Sequence, residues 1–406
     1  MNPAVRGVRT HTVADARLAA YGLVYPLSVE AVALSFTLDR YLAEPVLALC
    51  DLPGFPTAAM DGWVVAGRGP WRVLPRRLLA GPPGQRLTIG SAREIATGAV
   101  VPRGAAGVLR REDGQLIDGV LHGPLRSGRD MRDRGAECRA GDLLVAAGTR
   151  VTPPVAGLAA AAGHDELCVA RRPRVALAVL GDELVHAGRP PAGRVRDSLG
   201  PQLPMWVRLL GGDLTATRRV PDTLADTIAA LCTGGDVIVT TGGTAAGPVD
   251  HLHEALGALG AEIVVDRVAV RPGHPMLLAR RPDGIPVIGL PGNPLAAVAG
   301  VLTLLEPLLA RLTGRALPLL RTAVMADGVS TGGSSSRLVP VSLDDSGIAT
   351  TMPFAGPAML RGLTGADALA IVPSDGAASG ARVAVLDLPW RDVSREVSSV
   401  GGQPGE

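Results

Sequence analysis

The chain is 406 residues long, with 47% hydrophobic residues, 19% charged residues, 2% aromatics and a net charge of +2. This composition excludes disorder as the main state. It also excludes polyanion binding driven by bulk charge or by stacking of bases on aromatic rings. At ~100–200 residues per domain, the length predicts about two to four domains.

The 52 Gly and 34 Pro fall without a period, so the chain is not collagen-like. All 40 basic residues are Arg; with no Lys, chemistry that needs a lysine amine is excluded. Cys50, Cys138, Cys168 and Cys232 form no CxxC pair and His is sparse. A structural zinc site is therefore not expected, and isolated thiols fit a reducing compartment. Residues 1–9 carry two Arg with no apolar run behind them, so no signal peptide is expected. No uncharged apolar stretch of ~20 residues suggests a membrane span, and the expectation is a soluble, cytoplasmic protein.

Along the chain, residues 11–23 and 28–47 read as helical, with Asp51-Leu-Pro-Gly-Phe-Pro56 breaking the second. Residues 57–140 are short apolar runs between Gly, Pro and Arg clusters, a pattern that predicts a small β-rich domain. Residues 141–152 read as a strand and a turn, and residues 154–163 as a short Ala-rich helix. After Arg171 the texture changes. Strands are predicted at 175–180, 237–241, 262–266 and 286–290, alternating with helices at 199–210, 223–232, 251–259 and 294–312. Pro201 and Pro204 put the start of the first of these helices late, and Pro221-Asp222 stands where a cap for the second would. This alternation predicts an α/β multidomain protein whose central domain is a doubly wound, mostly parallel sheet. Past Arg315, short strands at 321–325, 336–343, 366–373 and 381–386 predict a β-rich C-terminal domain, and the last residues a disordered tail.

Ligands of open parallel sheets bind beyond the carboxyl ends of the strands. Three strand ends here carry unusual sequence. Leu180-Gly-Asp-Glu-Leu184 puts two carboxylates directly after an apolar strand, which a polar turn alone would also explain. Thr241-Gly-Gly-Thr-Ala-Ala-Gly-Pro-Val-Asp250 offers Gly242, Gly243 and Gly247, whose backbone N–H groups can cradle a phosphate. Asp250 then either bridges that phosphate through a divalent cation or simply caps the next helix. Gly289-Leu-Pro-Gly-Asn-Pro294 is explained by Asn293 as N-cap and Pro294 at the first helical position. Together on one sheet edge, the three favour a phosphate or nucleotide site. No Walker A, GxGxxG, HExxH or GxSxG motif is present, so standard kinases, dehydrogenases, zinc proteases and serine hydrolases are excluded. Asp61 in a small-residue loop, Thr97 in a Gly/Pro loop and Arg271-Pro-Gly-His-Pro275 are further candidates. Each also has a plain turn reading.

In order and spacing, Asp51-Leu-Pro-Gly-Phe55, Ala59-Met-Asp-Gly-Trp63, Ala96-Thr-Gly-Ala99, Gly181-Asp-Glu-Leu184, Arg196-Asp-Ser198, the Gly242–Asp250 loop, Arg271–Pro275 and Leu290-Pro-Gly-Asn-Pro294 resemble the molybdopterin molybdenumtransferases. These are the molybdenum insertases of the MoeA and gephyrin E-domain family, and this chain reads as a divergent member. The resemblance runs from about residue 12 to about residue 388.

It implies a homodimer of four-domain subunits. Residues 1–48 and 141–172 would form a discontinuous, dimerising, helical and extended N-terminal domain. Residues 49–140 would be a β-rich insert, 173–318 the α/β molybdopterin-binding domain, 319–390 a C-terminal β domain and 391–406 a tail. The implied reaction takes molybdate and adenylylated molybdopterin and, with Mg²⁺, releases AMP and molybdenum cofactor. The implied partners are a molybdopterin adenylyltransferase and acceptor molybdoenzymes, with no nucleic acid and no membrane.

Carried over by position, Glu183 and Asp250 are the magnesium-facing carboxylates, and Asp61, Thr97 and Asp222 complete the catalytic set. Asp61 and Thr97 would reach the site across the dimer cleft. Asp197, Thr241, Gly242, Gly243, Gly247, Arg271, His274, Pro291, Gly292, Asn293 and Arg337 would bind the pterin and the oxyanion. The oxyanion pocket departs from the family pattern: His274 replaces a Lys, and Ala59, Ala246, Ala296 and Pro357 stand where hydroxyl residues are usual. The alternative is a catalytically weak paralogue that binds molybdopterin or a nucleotide as a carrier or scaffold.

Overall fold

The structure is a computed structural model, and it describes residues 10–82, 84–244 and 251–390. The predicted Gly247 and Asp250, the substituted Ala246 and the tail 391–406 lie outside the described residues. The chain separates into two compact units, Ala31–Val169 and the remainder.

Within Ala31–Val169 a six-stranded sheet runs Gly107–Arg110, Gly62–Val65, Ser91–Ile95, Trp71–Val73, Val120–His122, Gln115–Ile117. Its strands alternate between two apolar layers. Val64, Ile95 and Val108 fill one, and Val65, Trp71, Leu109 and Leu121 the other. A second cluster gathers Leu42, Val46, Val151, Leu167 and Val169 beside the helix Pro153–Ala161. The helix expected over 28–47 is not there. Val29–Ala33 is a strand, Leu34–Phe36 a single 3-10 turn and Val46–Leu47 a strand. β-branched Val29, Val32 and Val46 favour extended backbone, and Pro45 removes a helical donor.

The other unit is built on a six-stranded sheet: β1 (Arg174–Leu180), β2 (Asp213–Val220), β3 (Val237–Thr241), β4 (Glu262–Asp266), β5 (Leu277–Arg280) and β6 (Pro286–Leu290). The spatial order is β2-β1-β3-β6-β5-β4. The first four are mutually parallel, and β5 runs antiparallel to both neighbours, so the sheet is mixed. β2 and β5 go beyond the sequence expectation. β2 alternates polar and apolar residues on an edge, and β5 is too short for period to separate strand from helix.

Continuous apolar strands bury both faces. Val175, Leu177, Val179, Val237 and Val239 point into the main core with α1 (Leu199–Leu209). Ile238, Leu277, Ala279 and Val287 pack on the opposite side with Leu231 of α2 (Leu224–Leu231) and Leu252, Ala255 and Leu256 of α3 (Leu252–Ala258). α1 starts at Leu199 despite its prolines, because Asp197 Oδ1 accepts the N–H groups of Leu199 and Gly200 at 3.0 and 2.8 Å. α2 is capped by Thr223, whose Oγ1 accepts Asp226 N–H at 3.1 Å, so Asp222 is not the cap.

After β6, residues Pro294–Leu312 form one nearly continuous helix: α4 (Pro294–Gly300), a π-helical turn (Val301–Leu305) and α5 (Glu306–Leu312). It is long and apolar enough to cross a membrane by composition, and 89% of it is buried inside the protein. The π turn has a local cause. Buried Arg17, from the helix Val13–Gly22, donates to Leu302 O, to Glu306 Oε2 at 2.8 Å and to Pro318 O at 2.8 Å. A helix carbonyl claimed by a side chain releases its own ladder partner.

The last strands, β7 (Arg321–Met325), β8 (Ser336–Leu343), β9 (Ile348–Thr351), β10 (Ala368–Val372) and β11 (Arg382–Asp387), pair in the order β8-β9-β7-β11-β10. β10 also pairs with β8, which closes them into a barrel around Met325, Val341, Ala349, Ala370 and Val385.

Candidate active site

The register of the four parallel strands brings their carboxyl ends level. Leu180 pairs with Val220, Val179 with Thr241, and Thr241 with Leu290. Four loops therefore leave one edge together: Gly181-Asp-Glu183, Pro221-Asp222, Gly242-Gly-Thr244 and Pro291-Gly-Asn293. β1 connects through α1 to β2 on one side, while β3 lies on the other. The chain thus reverses direction between β1 and β3, where open α/β sheets form a crevice.

A cavity of about 670 Å³ sits at that edge. Its walls include Glu183, Asp197, Asp222, Thr241, Gly242, Gly243, Pro291, Gly292 and Asn293, nine of the residues singled out in the sequence. Arg196, Ser198, Thr244, Pro275 and Leu360 also line it and were not anticipated as ligand contacts. Arg196, Ser198, Thr244 and Pro275 lie inside motif segments read from the sequence, but Leu360 comes from the connection between β9 and β10, far off in sequence.

Local hydrogen bonds shape the loops. Gly242 and Gly243 have φ of +81° and +66°, a conformation that side chains other than glycine resist. Gly242 N–H donates to Leu290 O at 2.9 Å, which ties the β3 exit to the β6 exit. A Cβ on Gly292 would lie 3.8 Å from Gly242 Cα, so the two glycine loops run close together. Asp222 Oδ2 accepts the N–H of Asp182 at 3.0 Å, which ties the β2 exit to the β1 exit. Asn293 makes no side-chain cap bond; instead Leu295 N–H, in the first turn of α4, donates to Pro357 O at 3.0 Å.

Arg271 and Arg337 do not line this cavity, nor does His274. Val270–Arg271 forms a short parallel ladder with β8, in which Arg271 stands opposite Arg337. Opposed residues of a ladder project to the same face. Among the described residues neither guanidinium has a carboxylate partner. His274 Nδ1 meets Val268 O at 2.7 Å, so that nitrogen carries the proton and Nε2 remains. Gly273 has φ +113°, a backbone conformation that residues with a side chain rarely adopt, and a Cβ there would also crowd Ala299 Cβ at 3.1 Å.

In the Ala31–Val169 unit, Asp61 and Thr97 meet directly. Asp61 Oδ1 accepts Thr97 N–H at 2.7 Å and Thr97 Oγ1–H at 2.9 Å. These two bonds, helped by Arg111 and Arg77, hold the Asp61 carboxyl below its usual range.

No group of three or more His, Cys, Asp and Glu residues able to hold a metal occurs among the described residues. Glu183 and Asp222 nevertheless give the cavity hard oxygen donors. That donor set fits Mg²⁺, which takes one or two carboxylates and completes its shell with substrate phosphates and water.

Comparison with known proteins places these features in one family. Residues 11–163 match the MoeA N-terminal region (domain I and II), residues 176–311 the probable molybdopterin binding domain, and residues 322–388 the MoeA C-terminal region (domain IV). The chain is similar to the molybdopterin molybdenumtransferase of Synechococcus elongatus, at 35% identity over 70% of this chain and 75% of that protein. It is also similar to molybdopterin molybdenumtransferase 2 of Mycobacterium tuberculosis, at 31% identity over 86% of this chain and 92% of that protein. Among solved structures, the molybdopterin biosynthesis MoeA protein of Pyrococcus horikosii matches with a TM-score of 0.77 and 26% identity, covering 93% of this chain and 99% of that one. The chain therefore belongs to the MoeA family of molybdopterin molybdenumtransferases, transferases of molybdenum cofactor biosynthesis, and carries that family's molybdopterin-binding domain.

Proposed function

We propose that this protein inserts molybdate into adenylylated molybdopterin, with Mg²⁺-dependent release of AMP. The observation that carries this reading is the meeting of Glu183, Asp222 and the Gly242-Gly243 turn around one cavity at the carboxyl edge of four parallel strands. Gly242 N–H is held by Leu290 O, so the backbone N–H groups that follow it in the turn receive the pterin phosphate. Glu183 and Asp250 are assigned to Mg²⁺, which when bound withdraws charge from phosphate oxygens. Asp222 fixes the Asp182 backbone and so holds the loop that carries Glu183. Asp61, kept ionised by Thr97, is assigned as a further acidic residue of the same reaction.

Arg271 and Arg337 are assigned to the oxyanion. Like charges opposite each other in a ladder are mildly unfavourable, and a bound anion would offset that. The four-domain partition given above is retained, as is a homodimer acting in the cytoplasm. Exposed Leu47 and Leu143, paired with each other across a ladder, and exposed Phe36 give the Ala31–Val169 unit apolar surface for a second copy. Substrate would come from a molybdopterin adenylyltransferase and product would pass to molybdoenzymes.

The carrier reading is favoured by one observation. Ala296 and Pro357 offer no hydroxyl, and Pro357 O already occupies the Leu295 N–H. The deciding experiment incubates the purified protein with adenylylated molybdopterin, Mg²⁺ and molybdate. AMP release that requires molybdate supports the insertase. Pterin binding without AMP release supports the carrier, and ATP or ADP binding without pterin affinity defeats both.

A further inference from the structure

Asp197 is a carboxylate of the cavity wall that is only 7% exposed. A buried carboxylate is costly unless donors surround it. Three do: Leu199 N–H and Gly200 N–H at Oδ1, and His186 Nδ1 at 3.1 Å from Oδ2. An ionised carboxylate only accepts, so Nδ1 of His186 carries the proton.

The backbone builds this pair. Leu184–Val185 and Val195–Arg196 form a short parallel ladder, and Asp197 N–H continues it to Val185 O at 3.0 Å. His186 and Asp197 are the next residues on each strand, so they come out opposite each other. Gly200 leaves room for the carboxylate: a Cβ there would stand 2.3 Å from Asp197 Oδ2. Leu184, Val195, Arg196 and Asp197 line the cavity, whereas His186 stands behind the wall.

A carboxylate has about four acceptor positions, and these bonds fill all but one. Neither backbone N–H can move without unwinding the first turn of α1. His186 is thus the side chain that decides which acceptor position stays open to the cavity.

We propose that His186 is a positioning residue: it fixes Asp197 so that its remaining acceptor position faces the ligand and selects a ring N–H or amino donor there. The inference rests on the functional reading above, because a pterin's amino and ring N–H groups are donors of this class, whereas its phosphate is not. Without the imidazole, Oδ2 keeps only the restraint that the Oδ1 bonds give it, its second acceptor position also opens, and the ligand donor loses its single fixed partner.

The test uses the full-length protein and its His186→Ala and His186→Asn variants. The Asn amide restores an N–H donor near the position of Nδ1. Adenylylated molybdopterin binding is measured by titration, and AMP release by single-turnover kinetics. His186→Ala should weaken ligand binding about tenfold, with a smaller change in the chemical rate, and His186→Asn should recover most of the loss. Unchanged binding in His186→Ala overturns the proposal. Equal losses in both variants together with a lowered Tm also overturn it, since that is a structural role only. In the ligand-free protein, ¹⁵N NMR should find the His186 proton on Nδ1; a proton on Nε2 overturns the geometry. If wild type binds the pterin but releases no AMP, the insertase reading fails while the binding arm still decides on His186. A wild type that binds no pterin overturns both.

Discussion

Arg271 stands opposite Arg337 across a parallel ladder that joins the segment after β4 to the first residues of the barrel strand β8. On the proposed reading, the two guanidinium groups would share a bound oxyanion. Arg337→Ala should therefore raise the molybdate concentration needed for half-maximal AMP release by about 10- to 100-fold, with pterin affinity unchanged. A molybdate dependence identical to wild type would remove Arg337 from the site.

His274 occupies a position where the family pattern has a lysine, and its Nδ1 is committed to Val268 O. A lysine ammonium in its place would bring a full positive charge to the anion. His274→Lys should lower the required molybdate about two- to fivefold if the residue faces the oxyanion. The same molybdate titration reads it, and no shift means that it faces elsewhere.

Glu183→Gln and Asp250→Ala should each abolish Mg²⁺-dependent AMP release, a drop of about 100-fold or more, while leaving Tm within a few degrees. Glu183 is exposed on its loop and contributes no core packing. Full activity in either variant refutes its metal assignment.

Thr97→Val keeps the backbone donor to Asp61 and removes the hydroxyl donor. The Asp61 carboxyl should then titrate higher, nearer its ordinary range, as read by ¹³C NMR of the side-chain carboxyl. The sign follows from the lowered native value. The Asp61–Thr97 bonds stabilise the fold above the ordinary carboxylate range, and that contribution is lost as pH falls through the native value. No change in titration would show that the hydroxyl bond does not form in solution.

Arg17→Ala would leave Glu306 buried without its ion pair. Burial pushes the Glu306 carboxyl up, and the Arg17 guanidinium opposes that. Losing one partner of a buried pair should cost about 3–5 kcal/mol in urea unfolding. The deficit should shrink toward acid pH, where Glu306 is protonated, because a raised native value makes stability fall as pH climbs past the unfolded one. A cost independent of pH would assign the loss to packing of the Arg17 stem instead.

The linear order of residues already determined the central layer. Apolar runs such as Val175–Leu180 and Val237–Thr241 can be satisfied only by burial on both faces, and the loops that end them carried their glycines and acids in plain view. What eluded sequence reading was short or polar: β2 on its edge, the four-residue β5, and the extended backbone of 28–47. In such segments period does not separate helix from strand, and pairing partners decide the outcome. Only tertiary structure could bring Asp222 onto the Asp182 backbone, place His186 behind Asp197 and seat Leu360, from the connection between β9 and β10, on the cavity wall. It also set Arg337 opposite Arg271, because strand register and barrel closure fix contacts between residues that the chain keeps far apart.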